Sequence, residues 1–196
     1  KELSLNLSTQ SYILTFDVRD RKAVFDAFET LPDEWKNVDI LINNAGNAHG
    51  LDPVQTATLD DWDAMIDGNV KGLMYVTKAL LPKMIKNQKG HIVNLGSIAG
   101  KEVYPNGSVY CSSKFAVDAF TQGLRIDLNK DGIKVSAIHP GLVHTEFSEV
   151  RFKGNQERAA KVYEGIEALT AKDVADGILY MTQVPKHVNV ADLVLL

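Results

Sequence analysis

A single cysteine, Cys111, stands among 196 residues, so no internal disulfide can form and the chain fits a reducing cytosol. Beside Tyr110 it invites a catalytic reading, but a lone Cys on an apolar helix is usually a small packing residue. No apolar run reaches transmembrane length, so a membrane is not an expected partner. Basic residues are not in excess: 21 Lys and Arg face 25 Asp and Glu, and the formal charge of −4 gives no footprint for nucleic acid or an anionic surface. Repeats, low-complexity tracts and interdomain linkers are also missing. What remains is one domain over residues 1–196, with an ordinary 45% apolar and 23% charged content and enough length for a sizeable core.

Three short apolar runs rich in β-branched residues are present: Val38 to Ile42, His91 to Leu95 and Ile133 to His139. Each ends in a polar or Gly/Pro break (Asn43-Asn44-Ala45-Gly46, Gly96-Ser97, Pro140-Gly141) and is followed by a helical pattern. Strands alternating with long helices imply βαβ units, a parallel sheet and a ligand crevice beyond the strands' carboxyl ends. Ser11 to Phe16 reads as a further strand. Asp20 can cap a helix to about Thr30. The longest helix starts near Leu59-Asp60 and carries Trp62, Met65, Ile66, Val70, Leu73, Met74, Leu80 and Leu81 at 3.6-type spacing, with Asn69 on the same stripe. Another runs from about Ser108 to Asn129. Gln156 to Glu167 reads as amphipathic, and Thr170 to Asp173 as a capping box opening the last helix before Pro185.

Chemistry concentrates in Ser97 and, thirteen residues on, Tyr110-x-x-x-Lys114. Tyr110 and Lys114 share a helix face. A free phenol titrates near ~10, too high for a base at neutral pH. An ammonium about 4 Å away, at an effective dielectric of ~20, interacts with a phenolate by roughly 4 kcal/mol, or about three pKa units. The pair therefore predicts a Tyr110 close to neutrality, where acid–base work is most efficient. Alone, such a spacing is weak; it gains weight from Ser97 at a strand end in register with it.

Asp17-Val18, Asn43-Asn44-Ala45-Gly46, Asn69, Ser97, Tyr110-x-x-x-Lys114 and Pro140-Gly141 with Thr145 together resemble the short-chain dehydrogenase/reductase family, in its order and spacings. The stretch Pro140 to Ser148, running on through Val150 to Gly154, is similar to the branch acting on L-serine, L-allo-threonine, other 3-hydroxy acids or malonic semialdehyde. The resemblance implies a Rossmann-type, doubly wound α/β sheet with helices on both faces. It also implies NADP as cofactor, with NAD left open, a small-molecule substrate, and a homo-oligomer, tetramer or dimer, in the cytoplasm. One departure is large. The family opens with a strand and a T-G-x-x-x-G-x-G turn that lays the pyrophosphate on a helix N-terminus. Nothing of that kind occurs here, so the chain is expected to be a portion of an enzyme lacking at least one βαβ unit of roughly 30 residues.

By the same resemblance Tyr110 is the acid/base, Ser97 holds the reacting oxygen, and Lys114 lowers the Tyr110 pKa and bonds the nicotinamide ribose. Asn69 helps hold a water linking Lys114 to solvent. Asp17 accepts from the adenine amino group and Val18 packs on the ring. Asn43, Asn44 and Gly46 approach the adenosine ribose, and Pro140, Gly141, Val143 and Thr145 shape the nicotinamide pocket. Arg151 is a candidate for a substrate carboxylate, against the alternative of a solvated surface arginine. His139 and His144 flank the cofactor loop, but no second ligand stands at zinc-like spacing, so no metal is assigned. Two rival readings stay open: a reductase of a sugar, steroid or acyl thioester, and a non-catalytic scaffold on the same fold.

Overall fold

The computed structural model describes residues 6–196. The apolar runs form β1 (Ile40–Asn43), β2 (Gly90–Leu95) and β3 (Ile133–Pro140). Two short strands follow, β4 (Val143–His144) and β5 (Leu169–Thr170), and the apolar end of the chain forms β6 (Asp192–Leu195). The main sheet is parallel throughout in the order β1-β2-β3-β6; Ile40 sits beside His91, Gly90 beside Ile133 and Ala137 beside Asp192. Successive side chains along a strand point to opposite faces. Ile92 and Val135 accordingly meet Leu80, Met84, Leu124 and Leu128 on one face, while Val93 and Ile138 meet Val174 and Met181 on the other. Burying each such side chain contributes about 1.5–3 kcal/mol. The sheet is doubly wound, as expected.

Local signals set the helix starts. The Asp20 carboxylate accepts from the Ala23 N–H at 3.0 Å and caps α1 (Arg21–Glu29). Thr58 caps α2 (Leu59–Ile66) in the same way, through Asp61. After a π turn over Asp67–Gly72 the same rod continues as α3 (Leu73–Asn87). The helix α4 (Ser108–Leu128) carries Tyr110 and Lys114, and α5 (Phe147–Arg151) and α6 (Gln156–Lys161) form a small cap beyond β4. The predicted capping box opens α7 (Ala171–Gln183): the Asp173 N–H donates to Thr170 Oγ1, and the Thr170 N–H donates to Asp173 Oδ2 at 2.8 Å.

Two expectations need correction. Ser11 to Phe16 forms no strand and pairs with none among the described residues, and a ladder exists only where a second backbone lies alongside. It is held by its rings instead, Tyr12 against Trp35 and Phe16 against Phe28. The amphipathic reading of Gln156 to Glu167 holds only to Lys161; turns follow, and Gly165 at φ +74° leaves the helical region altogether.

At the start of β2, His91 is 5% exposed and its Nε2 lies 2.8 Å from Ser136 Oγ. The Ser136 hydroxyl donates onward to Asn189 Oδ1, so the ring nitrogen is the donor to Ser136. Burial, helped by the nearby Lys134 charge, lowers His91 from 6.5 to about 4. The unfolded chain then binds more protons between those values, and stability falls as pH drops from about 6.5 to about 4. The loss amounts to about 3 kcal/mol at most. Urea unfolding of the wild type and of His91→Gln from pH 7 to 4.5 checks this: the variant should lack that part of the slope, and parallel profiles would contradict it.

Candidate active site

Beyond the carboxyl ends of β1, β2 and β3 the predicted residues gather. Ser97 leaves β2 in an extended conformation (φ −172°), opens the 3-10 turn Ile98–Gly100, and its Oγ accepts from the Ala99 N–H at 3.1 Å. That turn packs on the first turns of α4, with Ala99, Tyr110 and Cys111 in one apolar cluster. Cys111 is thereby a packing residue, 1% exposed and free. Ser97 is among the groups that pull the Tyr110 hydroxyl downward, and Lys114 Nζ lies 5.9 Å from the Tyr110 ring centre. Lys114 Nζ donates to the Leu95 carbonyl at 3.0 Å, two residues before Ser97. Ser97, Tyr110 and Lys114 are 8%, 9% and 7% exposed, so all three face a site largely closed to water.

The electrostatics differ from expectation. Tyr110 is not brought toward neutrality; burial pushes it up to about 12, and the contacts that oppose this come from Ser97 and the Arg151 charge. Lys114 does not figure among them, because burial costs its own charge and pushes it down to about 8. An ammonium lowers a phenol only while it remains charged and close, and here its hydrogen bond is to Leu95.

Asn69 sits in the π turn, a feature found most often at functional sites. Its Oδ1 accepts from the Asn47 N–H at 2.7 Å, and its amide donates to the Asn47 carbonyl at 2.8 Å and to Ser113 Oγ at 3.0 Å. It therefore ties the loop after β1 to the Tyr110 helix. Asn43 is buried, and its amide donates to Thr77 Oγ1 and Asn94 Oδ1, while Asn94 donates to Thr121 Oγ1. This chain of fully buried amides and hydroxyls pins β1 and β2 to α3 and α4. The side chain of Asn43 is committed inward, and only its main chain remains for a ligand. Asn44 and Gly46 are exposed at the strand end. A methyl group on Gly46 would stand 3.0 Å from Asn69 Oδ1 and 3.8 Å from Lys114 Nζ, so glycine keeps this approach open.

The remaining predicted residues make contacts of their own. Asp17 is exposed and held by Arg19, whose Nη2 reaches its Oδ2 at 2.6 Å, and Val18 packs over Gly72. Pro140 is buried and Gly141 donates its N–H to Leu195 at 2.7 Å. Val143 pairs with Leu169, and Thr145 Oγ1 accepts from the Phe147 N–H at 3.2 Å.

Arg151 is not a solvated surface arginine. Its Nε donates to the Gly50 carbonyl at 3.1 Å, its Nη2 donates to the Tyr104 hydroxyl at 2.6 Å, and its guanidinium carbon lies 5.2 Å from the Tyr110 ring centre. Among the described residues it forms no ion pair with a carboxylate. With His49, Trp62, Met65 and Val109 it lines a cleft that ends at Tyr110. Tyr104 was missed from sequence; the only available signal was its place in the turn before the Tyr110 helix. Also unforeseen was the convergence of Asp118 and Asp192 on His139, where Lys101 Nζ lies 2.9 Å from Asp118 Oδ1.

A parallel sheet with a Ser–Tyr–Lys set at its carboxyl edge defines an oxidoreductase-type dinucleotide fold, and the short chain dehydrogenase family model matches residues 1–156. The chain belongs to that family. It is 45% identical over 194 residues to the NADP-dependent 3-hydroxy acid dehydrogenase YdfG of Escherichia coli, covering 98% of this chain and 78% of that protein. It is 41% identical to the serine 3-dehydrogenase of Agrobacterium fabrum, covering 99% of this chain and 78% of that one. The closed form of a serine dehydrogenase complexed with NADP+ superposes with a TM-score of 0.96 at 45% identity, covering 99% of this chain and 79% of the other. The site's chemistry fits the dinucleotide this family implies. The Lys114 ammonium carries three N–H donors and has one protein acceptor among the described residues, and open main chain from Asn44 to Gly46 lies beside it.

Proposed function

We propose that residues 1–196 belong to one dinucleotide-binding and catalytic unit that interconverts a hydroxyl and a carbonyl on a short 3-hydroxy acid, with NADP. The substrates in view are L-serine, L-allo-threonine and 3-hydroxypropionate with malonic semialdehyde. NADP, when bound, supplies the hydride acceptor or donor. Tyr110 takes the hydroxyl proton in oxidation and returns one in reduction. Ser97 hydrogen-bonds the same oxygen and holds it against the phenol. Lys114 offers its free donors to the nicotinamide ribose, and Asn69 keeps the Asn43–Asn47 loop in contact with the Tyr110 helix. Asp17 and Val18 receive the adenine, Asn44 and Gly46 the adenosine ribose, and Pro140, Gly141, Val143 and Thr145 the nicotinamide. The names of the relatives support the substrate class and the cofactor.

The observation that carries the substrate choice is Arg151. A half-buried guanidinium with no carboxylate partner among the described residues, next to the acid/base, favours a substrate bearing its own carboxylate. Sugar and steroid alcohols carry no anion to pair with it. The cleft favours the hydroxy-acid reading over the scaffold reading as well, since a scaffold has no use for a half-buried guanidinium without a carboxylate partner beside Tyr110. Arg151→Gln should raise KM for L-serine by roughly 10- to 100-fold, the worth of a charge-assisted hydrogen bond, with a smaller change in kcat. Steady-state assays on L-serine, 3-hydroxypropionate and a steroid alcohol decide it. Equal KM values for variant and wild type on L-serine would remove Arg151 from substrate binding, and best turnover on the steroid would overturn the substrate class.

Assembly and location belong to the same proposal. Phe115 and Ile126 on α4 and Leu59 on α2 are exposed apolar side chains, which favours contact with a second copy as a dimer or tetramer. Among the described residues no helix is long and apolar enough to cross a membrane. With one cysteine, the cytoplasm is the location proposed.

A further inference from the structure

The strand that ends at Pro140-Gly141 carries His139, 0% exposed and unused by the mechanism above. Its ring lies against the main chain of Gly96: a methyl group added there would meet Nδ1 at 2.4 Å, so only glycine before Ser97 admits the imidazole. Nδ1 lies 3.3 Å from the Ser97 carbonyl oxygen. That oxygen also accepts from the Gly100 N–H at 2.9 Å, which closes the turn following Ser97. On the other side of the ring, Nε2 lies 3.0 Å from Asp192 Oδ1 on β6 and 3.7 Å from Asp118 Oδ1 on α4.

Carbonyl and carboxylate oxygens only accept, so the ring acts as a donor toward whichever of these partners it bonds. The cluster is closed by Lys101, the residue after the Ser97 turn, whose Nζ reaches Asp118 Oδ1 at 2.9 Å and Asp192 Oδ1 at 4.0 Å. Asp118 is one helical turn beyond Lys114. One ring of contacts thus joins the Ser97 turn, the helix of Tyr110 and Lys114, and β6. Lys101, Asp118 and Asp192 are the charged groups facing His139, and they come from three different elements.

We infer that His139 is a positioning residue that fixes Ser97 against Tyr110: both ring nitrogens donate, Nδ1 to the Ser97 carbonyl and Nε2 to Asp192, with the Asp118 carboxylate beside the second contact. The inference rests on Ser97 acting at the reacting oxygen. A side chain held from its own peptide carbonyl keeps its hydroxyl within the few tenths of an ångström that proton transfer demands, and a misplacement near 1 Å can cost about a hundredfold in rate.

A double-mutant cycle in the natural protein tests it, read as kcat and KM with L-serine and NADP. Ser97→Ala comes first: if it keeps wild-type turnover, the site reading itself fails and this inference with it. If Ser97→Ala loses turnover, His139→Leu should lower kcat by roughly 10- to 100-fold in the Ser97 background. The KM for NADP should stay within about twofold, and the same change in the Ser97→Ala background should have almost no further effect, because residues acting as a unit are non-additive. Equal losses in both backgrounds, or no loss in either, would overturn the inference while leaving the site reading intact. His139→Asn guards against simple misfolding, since its amide can occupy the Nδ1 position. It should recover most of the kcat that the leucine variant loses, and a folded asparagine variant as slow as the leucine one would contradict the role.

Discussion

Lys114→Met should abolish most turnover and yet leave the protein as stable as the wild type, or more so. Lys114 is buried, and desolvation holds its ammonium down to about 8 against an ordinary 10.5. At pH 7 the folded state keeps the charge and bears the full burial cost, about 3 kcal/mol for a shift of that size. Methionine has a similar reach without the charge. Its gain is offset by the Leu95 carbonyl losing a donor, which costs about 1–3 kcal/mol. The net change at pH 7 lies between about zero and 2 kcal/mol in favour of the variant. The pH dependence carries a definite sign. Between about 8 and 10.5 the unfolded lysine binds more protons than the folded one, so wild-type stability climbs over that interval and the variant's advantage shrinks. Turnover should fall by roughly 100- to 1000-fold, since the donors proposed to hold the nicotinamide ribose in place beside Tyr110 are gone. Urea melts at pH 7 and pH 10 together with kcat check both halves. A markedly less stable methionine variant would contradict the burial cost, and one that keeps its turnover would remove Lys114 from the site.

Much of this site could be read from the chain before any coordinates. The β-branched runs ending in Ser97 and Gly141 announce buried parallel strands, because burial on both faces demands continuous apolar residues; the run ending in Asn43 also forms its strand, but Ile40 and Ile42 stay exposed on one face. Thr170 with Asp173, and Asp20 ahead of Arg21, mark helix starts through contacts three residues apart, and both caps form as read. Tyr110 and Lys114 share a face by helix geometry alone. What escaped depends on partners far away in the chain. Ser11 to Phe16 has strand composition, but pairing depends on a neighbour that local pattern does not report. The anchoring of Asn69 rests on three hydrogen bonds to Asn47 and Ser113, none of which leaves a periodic trace. Tyr104 matters because Arg151, 47 residues later, folds back onto it. The direction of the Tyr110 shift was missed for a related reason. Burial of the phenol and of the ammonium opposes their mutual attraction, and the spacing of two residues says nothing about how much water each has lost.

The Tyr110 environment sets the second large effect. A buried phenol pushed up to about 12 is fully protonated at neutral pH. It is then a ready proton donor to a developing alkoxide in reduction, and oxidation requires it to lose that proton first. Wild-type oxidation should therefore accelerate as pH rises above neutrality, whereas reduction should not. Arg151 and Ser97 are the groups that pull the phenol downward, so both substrate-side contacts also favour the reactive form. Tyr110→Phe removes only the hydroxyl. The ring still packs against Phe147, 5.7 Å away, and within the cluster of Ala48, Met65 and Ala99, so the fold and the cofactor crevice should survive. The cost falls on proton transfer, worth roughly 10²- to 10⁴-fold.

One measurement bears most directly on this account: kcat for L-serine oxidation by Tyr110→Phe and wild type across pH 6.5 to 10, alongside NADP affinity by fluorescence titration. The account predicts NADP binding within about threefold of wild type, turnover lower by roughly 10²- to 10⁴-fold, and no alkaline rise in the variant. A phenylalanine variant that turns over at a substantial fraction of the wild-type rate, with the alkaline rise intact, would contradict it.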